Sequence, residues 1–361
     1  MREEIETLRE ALKLYSPTGR EARFAEFLAG KMVALGFDRV RIDGVGNAIG
    51  EVGKGESPTI LFCSHMDTVP GYLRVSLKKD RITGRGAVDA KASLISMLFA
   101  ASRLKDYPGR VIYAGVVDEE GRGRGMKGLI NEGIRPDYAI IGEPSNLVKV
   151  TVGYKGRLCV KFVCETETAH ASTPWLASNS IVETFRLHEL IGGFVKEFNE
   201  KVKGGKFRKL TSTITQIHGG SGLNVLPSKT VSVFDFRLPP GLKSDEVVEK
   251  LQELVQKLDG RFIIEIIDKT EAIESSRSSP IVRALVRAIV EVLKLKPAMV
   301  NKTGTADMNT IGNALGIPVV SYGPGDPRLS HTREEVLRLE DYLKSIEIYR
   351  KTALNLLKLI R

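Results

Sequence analysis

TILFCSHMD, residues 59–67, is a short run of apolar and β-branched residues that includes the polar side chains His65 and Asp67 at its end. Two further apolar runs, at 110–117 and 137–141, are separated from it by segments with helical periodicity. Strands that alternate with helices are typical of a largely parallel sheet covered by helices. We therefore predict an α/β fold for this part of the chain, with functional residues at the carboxyl ends of the strands.

A different pattern begins near residue 153. It predicts a strand at 156–164, a helix at 178–198, strands at 210–217 and 230–237, a helix at 244–258 and a strand at 261–267. This βαββαβ order is that of a ferredoxin-like domain. Helices are predicted again at 280–293, 306–315 and 334–357, with a strand at 317–321. We expect a catalytic metal-binding domain of residues 1–152 and 268–361, with a dimerisation or lid domain, 153–267, inserted into it.

Length and composition limit the class of protein. A chain of 361 residues can form two domains, and 42% hydrophobic with 27% charged residues is typical of globular proteins. It contains no apolar stretch of the roughly 20 residues that a membrane-spanning helix needs. The N-terminus lacks the pattern of a signal peptide, and Cys63, Cys159 and Cys164 lack the spacing of zinc knuckles. We expect a cytoplasmic protein with no membrane contact.

The formal net charge of +10 indicates an acidic partner or substrate. Nucleic acid is one candidate. However, the basic residues are scattered along predicted surface helices, and aromatic residues, which stack on bases, make up only 6% of the chain. We therefore favour an acidic protein partner over nucleic acid.

Acidic and histidine side chains collect where the predicted strands end. The residues that follow apolar runs are His65, Asp67, Asp89, Asp118, Glu119, Glu120 and Glu143. Crowded carboxylates repel one another unless divalent cations supply the opposing charge. Two cations about 3.5–4 Å apart that share one carboxylate would relieve the repulsion and activate a water molecule. Mixed histidine and carboxylate ligands suit zinc, cobalt or manganese.

Asp67 lies two residues after His65, so both side chains point to the same face of a strand. Its carboxylate can therefore orient the His65 ring through a hydrogen bond. Taken singly, any one of these carboxylates could equally be a helix cap or part of a surface ion pair.

Six motifs, in this order, carry a resemblance to a known family: SHMDTVP, GRGAVDAK, DEEGRGRG, IIGEPS, GGSGLNVLP and SHTREE. Over essentially its whole length the chain resembles the zinc aminoacylase and carboxypeptidase family, which includes acetylornithine deacetylase, succinyl-diaminopimelate desuccinylase and glutamate carboxypeptidase. The resemblance implies two divalent ions, with Zn²⁺ expected first and Co²⁺ or Mn²⁺ as alternatives. One ion would be held by His65, Asp89 and Glu143, and the other by Asp89, Glu120 and His331. Glu119 would be the general base.

The same resemblance assigns roles in and after the inserted domain. His170, in the run AHASTP, would stabilise the oxyanion, often from the partner subunit of a homodimer. Without the resemblance, an ordinary structural role for this histidine would be favoured. Asn224 and Arg237 resemble substrate contacts, and an arginine suits a carboxylate because its fork binds bidentately, although Arg237 could instead form an ordinary salt bridge. The run KTGTAD could present backbone amides to the same carboxylate from Thr303, Gly304 and Thr305.

Two other segments match motifs of unrelated families. Gly123, Gly125 and Gly128 fit the GxGxxG pattern of dinucleotide-binding proteins, but the three acidic residues at 118–120 would repel a pyrophosphate. The run at 302–304, KTG, resembles a serine β-lactamase motif, but the SDN motif that should accompany it is missing from the sequence.

The substrate is less strongly indicated than the metal site. GYKGR, GTADMN, YGPGD and the compact length resemble a branch of the family that releases lysine or ornithine from an amino-group carrier protein. In that branch the carrier is acidic and ends in a glutamate whose γ-carboxyl is amide-linked to the product, which would explain the +10 charge. The alternatives are an N-acetyl-lysine or acetylornithine deacetylase, a succinyl-diaminopimelate desuccinylase, and a non-catalytic metal-binding dimer.

Overall fold

The structure, a computed structural model, describes residues 2–360. By its internal contacts the chain divides into two compact units. The first comprises the residues up to Gly153, Ser275–Asn301 and the residues from Ala306 onward. The second comprises Tyr154–Glu274 and Lys302–Thr305. In the described residues, no helix is both long enough and apolar enough to cross a membrane.

The strands are β1 (Asp38–Ile42), β2 (Ala48–Val52), β3 (Thr59–His65), β4 (Ser76–Lys78), β5 (Arg81–Thr83), β6 (Arg110–Val116), β7 (Tyr138–Gly142), β8 (Lys149–Tyr154), β9 (Gly156–Glu165), β10 (Thr211–Gly219), β11 (Lys229–Leu238), β12 (Arg261–Thr270), β13 (Ile273–Glu274), β14 (Ala298–Lys302), β15 (Val319–Tyr322) and β16 (Val336–Arg338). The helices are α1 (Arg2–Lys13), α2 (Ala22–Ala34), α3 (Lys91–Ser102), α4 (Arg124–Asn131), α5 (Ser180–Lys201), α6 (Ser244–Val255), α7 (Pro280–Leu293), α8 (Asp307–Leu315) and α9 (Leu339–Ile360).

The main sheet of the first unit runs in the order β1-β2-β6-β3-β7-β15-β8. The central pairs β6–β3, β3–β7 and β7–β15 are parallel, whereas β1–β2, β2–β6 and β15–β8 are antiparallel. Every residue of β3 is buried, because parallel strands between helical layers are covered on both faces. The predicted α/β fold with a mostly parallel sheet is confirmed.

Helix α3 lies in the core of the first unit, and all its residues from Lys91 to Ala101 are buried. It packs against α1, α9 and β3, and the Ser345 hydroxyl of α9 donates to Ser96 at 2.7 Å. A helix buried on all sides needs an apolar surface all round, as the sequence KASLISMLFAAS largely provides. Its fixed position also fixes the loop before it, which carries Asp89.

The second unit has the element order β9-α5-β10-β11-α6-β12 and an antiparallel sheet of order β10-β11-β9-β12. This is the βαββαβ arrangement of ferredoxin-like domains. Its separate core contains Leu158, Leu187, Phe234 and Leu251, from the sheet and both helices. Asn179 caps α5 by accepting a hydrogen bond from the Ile181 amide at 2.9 Å.

Two sequence predictions differ from the structure. The second unit extends to Glu274, beyond the predicted boundary at 267, and it includes Lys302–Thr305. The helix predicted at 334–357 begins only at Leu339, because Val336–Arg338 forms a strand that pairs with β5. Val336 is β-branched and Leu337 is buried in this small sheet, so strand pairing outweighs the helical pattern there.

Candidate active site

The candidate site lies at the carboxyl ends of three neighbouring parallel strands of the first unit. His65 is the last residue of β3, Glu119 and Glu120 follow β6, and Glu143 follows β7. Because β6, β3 and β7 are parallel and adjacent, their carboxyl ends lie at one edge of the sheet. The topology therefore brings together residues that are up to 78 positions apart in sequence.

Asp89 lies between two groups of side chains. Its Oδ1 is 3.2 Å from His65 Nε2, and its Oδ2 is 3.4 Å from His331 Nε2. His65 Nε2 is also 3.9 Å from Glu143 Oε1, while His331 Nε2 is 2.6 Å from Glu120 Oε1. The structure thus brings the five predicted ligands together as two sets that share Asp89.

Asp67 is fully buried and holds the backbone that follows β6. Its Oδ1 accepts a hydrogen bond from the Glu119 amide and its Oδ2 accepts one from the Glu120 amide, both at 3.1 Å. The Thr18 hydroxyl also donates to Oδ2, at 2.8 Å. The nearest oxygen to the His65 Nδ1 is the main-chain carbonyl of Asp67, at 2.8 Å, whereas the Asp67 carboxylate is 3.5 Å away. The carboxylate therefore positions the two glutamates more directly than it positions the His65 ring.

A buried ion pair links the two loops that carry Asp89 and His331. The Arg85 guanidinium donates to Glu335 at 2.5 Å and to the Thr332 carbonyl at 2.9 Å. Glu335 also accepts hydrogen bonds from the amides of Gly86, at 2.9 Å, and Val88, at 3.2 Å. Sequence reasoning did not identify this pair, although Arg85 lies in GRGAVDAK and Glu335 in SHTREE.

The electrostatics of the site reflect the crowding of charges. Burial by itself would raise the pKa of Asp89, but hydrogen bonds with His331 and His65 hold it well below its usual value. Hydrogen bonds to Asp89 and Glu120 raise the pKa of His331 to about 10. At His65, burial by itself would lower the pKa. The contacts with Asp67 and Asp89 nevertheless raise it well above its usual value.

Glu119 differs from the five grouped side chains, because burial, and then the negative charges around it, raise its pKa well above the usual glutamate value. Asp307, at the start of α8, was not identified from the sequence. It is buried, and burial raises its pKa to about 7. The site therefore combines a carboxylate whose pKa is lowered, Asp89, with two whose pKa is raised, Glu119 and Asp307, and such divergent shifts are typical of functional clusters.

The donor set fits divalent cations. His65, Asp89 and Glu120 each offer a ligand atom, and these atoms lie within 4.8 Å of one another. The two sets around Asp89 each contain one imidazole and carboxylate oxygens, the mixture that borderline metals such as zinc prefer. The carboxylates around His65 and His331 raise the pKa of both imidazoles and so favour a proton on each ring. Metal ions bind neutral imidazoles, so bound cations would take the place of these protons.

The remaining predicted residues lie in the second unit. His170 is exposed, and its Nδ1 is 2.7 Å from the Ser172 hydroxyl. Asn224 lies beside it, with its carbonyl accepting from the Ala171 amide at 2.9 Å. Arg237 forms a bidentate pair with Asp235, at 2.6 and 3.4 Å, so part of its hydrogen-bonding capacity is used within the sheet.

A cavity of ≈ 800 Å³ in the second unit brings three predicted substrate contacts together. Arg237, Thr303 and Gly304 line it, and Thr305 follows them in the chain. The other lining residues are Lys155, Gly204, Gly205, Lys206, Lys209 and Thr211. None of the six was predicted, because the loop at 203–206 carries no motif and only the folded sheet places it beside Arg237.

The sequence pattern of peptidase family M20/M25/M40 matches residues 61–355, which include all five grouped side chains. The chain belongs to this family. It is therefore an M20-family hydrolase, and the family resemblance predicted from the six motifs is confirmed.

Named relatives match nearly the whole M20-family chain. A Pyrococcus abyssi protein with the provisional name LysW-lysine/LysW-ornithine hydrolase is 38% identical, with 98% of this chain and 94% of the relative covered. A Saccharolobus islandicus protein named LysW-lysine/LysW-ornithine hydrolase is 31% identical, with 95% and 93% covered.

Several solved structures share the fold of this chain. Aminopeptidase PepT from Bacillus cereus matches with a TM-score of 0.83 at 23% identity, with 99% of this chain and 98% of that chain covered. An M20 metallo-carboxypeptidase from Sulfolobus solfataricus matches with a TM-score of 0.80 at 22% identity, with 99% and 100% covered. A dinuclear metal-binding M20 peptidase from Bacillus subtilis matches with a TM-score of 0.75 at 13% identity, with 99% of this chain and 98% of that chain covered.

Proposed function

We propose that this M20-family hydrolase cleaves the γ-glutamyl amide that joins lysine or ornithine to an acidic amino-group carrier protein. The observation that supports the chemistry is the arrangement of two histidine and carboxylate sets around Asp89. The observation that supports the substrate is the name LysW-lysine/LysW-ornithine hydrolase, carried by relatives at 31% to 39% identity over nearly their full length. The net charge of +10 suits an acidic carrier.

His65, Asp89 and Glu143 would hold one divalent ion, and Asp89, Glu120 and His331 would hold the other. We propose Zn²⁺ as the native ion, with Co²⁺ or Mn²⁺ as alternatives. When bound, such ions would polarise the amide carbonyl and lower the pKa of the attacking water.

Glu119 is proposed as the general base and acid. Its carboxylate would accept a proton from the attacking water and later deliver that proton to the departing amine nitrogen. The Asp67 carboxylate holds the Glu119 amide at 3.1 Å, so Asp67 would keep the base in place while the reaction proceeds. The proton returned to the amine makes lysine or ornithine a good leaving group.

In the second unit, His170 would stabilise the oxyanion, and Asn224 with Arg237 would contact the substrate. Thr303, Gly304 and Thr305 would present backbone amides to a substrate carboxylate. We further propose a cytoplasmic homodimer in which the inserted domain serves as the dimerisation or lid domain. His170 would then act on the site of the partner subunit.

The decisive experiment compares substrates for the zinc-loaded enzyme. Purified lysine and ornithine conjugates of the carrier, N-acetyl-lysine, N-acetylornithine and N-succinyl-diaminopimelate are each incubated with enzyme, and the released amino acid is measured. We expect the highest kcat/KM with a carrier conjugate. Preferred release from an acetylated or succinylated compound would instead establish a deacetylase or desuccinylase.

Metal dependence is checked with the same assay. Chelation should abolish turnover, and added Zn²⁺ should restore it. Metal binding without turnover of any of these substrates would indicate the non-catalytic metal-binding dimer. Full turnover after complete removal of divalent ions would contradict the two-metal mechanism.

A further inference from the structure

The connection between α5 and β10 is a strongly basic segment. Residues 201–209, KVKGGKFRK, contain five basic residues and no acidic residue. We call this segment the basic loop. Elsewhere in the same unit, basic side chains pair with carboxylates close by, as in Lys250–Glu253 and Lys161–Glu265, both at 2.7 Å or less. The basic loop is therefore a local excess of positive charge.

The base of the basic loop is fixed by hydrogen bonds. The Lys209 ammonium donates to the carbonyls of Asn199 and Val202, both at 2.5 Å, at the end of α5. The Asn199 side chain exchanges two hydrogen bonds with the Leu210 backbone, each 2.8 Å long. The Lys155 ammonium donates to the Lys209 carbonyl. These hydrogen bonds therefore hold the two ends of the basic loop in place.

The exposed part of the loop presents charge to solvent. Lys201 and Arg208 form ion pairs with Glu197 and Glu274. Lys203 and Lys206 are exposed, and within the described chain neither forms an ion pair. These two ammonium groups are therefore available to an anionic partner.

The basic loop forms one wall of the ≈ 800 Å³ cavity. Four basic residues line the cavity, namely Lys155, Lys206, Lys209 and Arg237, and the described lining includes no acidic residue. Lys155 is buried, and this burial, followed by the positive charge of Arg237, lowers its pKa. Neighbouring cations repel one another, and an anion that binds between them reduces this repulsion. Lys206 belongs to both the basic loop and the lining of the cavity, so one extended anion could contact both.

We infer that the basic loop and its cavity bind an acidic polypeptide segment, and that this contact docks the protein whose terminal amide is hydrolysed. The identity of that protein rests on the proposed function. The acidic character of the segment rests on the loop and the cavity alone. A single amino acid could satisfy one or two cations, whereas a row of acidic residues satisfies the loop and the cavity together. Electrostatic docking of this kind raises the association rate and weakens as salt rises.

The test uses two double variants with the same change in net charge. Lys203→Glu with Lys206→Glu reverses charge on the basic loop. Lys243→Glu with Lys257→Glu reverses charge at exposed positions at the two ends of α6 in the same unit. Both are made in the full-length, zinc-loaded enzyme, and thermal unfolding is measured to verify that each variant folds.

Docking is measured directly with a fluorescent peptide of ten residues, rich in Asp and Glu and ending in glutamate. At low salt we expect the loop variant to bind the peptide at least tenfold more weakly than wild type, and the α6 variant to bind within about threefold of wild type. The difference should nearly vanish at about 0.5 M salt. Equal weakening in both variants, or no weakening in either, would overturn the docking surface.

Hydrolysis of the carrier conjugate separates this inference from the proposed function. If wild type releases lysine from the conjugate, the loop variant should show at least a tenfold higher KM at low salt, and the α6 variant should not. If wild type releases nothing from the conjugate, the proposed function fails, while the peptide measurement still decides whether the loop binds acidic chains. An unchanged KM in the loop variant would contradict the docking role.

Discussion

Glu119 and Glu120 are adjacent in sequence and yet have different surroundings. Glu120 contacts His331 at 2.6 Å, whereas Glu119 lies half-buried, and desolvation with the negative charges around it raises its pKa. We expect Glu119→Gln to lower kcat by about 100- to 10,000-fold, because it removes the proton acceptor, while two metal ions per chain are still bound. The matched variant Glu120→Gln should instead reduce the number of bound ions. Wild-type kcat in Glu119→Gln would show that another residue is the base.

Lys91 is a buried cation whose ammonium donates to the Ala11 and Leu14 carbonyls and lies 4.4 Å from the centre of the Phe24 ring. Burial lowers its pKa to about 7 from the usual 10.5. Between these values the unfolded chain binds more protons than the folded chain, so this residue adds stability as pH rises, by at most ~1.4 kcal/mol per pH unit. From pH 7 to pH 10, the free energy of unfolding of wild type should therefore increase relative to that of Lys91→Met. Denaturant titrations at several pH values measure this difference, and a constant difference would contradict the lowered pKa.

At the scale of elements, the loop before α3 is held by a residue 246 positions away. The Glu335 carboxylate accepts hydrogen bonds from the backbone amides of Gly86, at 2.9 Å, and Val88, at 3.2 Å. It also forms an ion pair with Arg85 at 2.5 Å. Glu335→Gln should weaken Zn²⁺ binding about 10- to 100-fold, because Asp89 loses its fixed backbone. It should also lower the free energy of unfolding by about 3 kcal/mol, because the buried Arg85 charge loses its partner. The exposed neighbour variant Glu334→Gln is the control. Equal Zn²⁺ affinity in both variants, measured by competition with a chelating dye, would rule out this positioning role.

Some elements of the site can be predicted from local sequence, whereas others depend on contacts between distant residues. The apolar run of β3 predicts its strand, because strands buried on both faces need continuous apolar sequence. The carboxylate crowding predicts cations, and the ordered motifs add which residues would bind them. By contrast, the contacts of Thr18 with Asp67 and of Arg85 with Glu335 join residues 49 and 250 positions apart, and no local periodicity encodes such distances. The strand Val336–Arg338 was missed for the same reason, since only its pairing with β5 makes it a strand.

At the scale of the whole molecule, the chain divides into one unit that carries the five grouped side chains and a second that carries His170. If His170 acts on the partner subunit, two separately inactive variants should restore activity to each other. In a mixed dimer of Glu119→Gln and His170→Ala, one site would lack both residues and the other would have both. After subunit exchange, random pairing should therefore give about a quarter of wild-type activity per chain.

The complementation experiment has its own controls. Each variant is first incubated alone under the exchange conditions, and both should stay inactive. A mixture of His170→Ala with the metal-site variant His331→Ala should also recover activity, because the mixed dimer again contains one site with both residues intact. Analytical ultracentrifugation verifies that the wild type and the variants are dimers. If the mixtures remain as inactive as the separate variants although subunits exchange, His170 acts within its own chain, and the second unit serves the site of the same subunit.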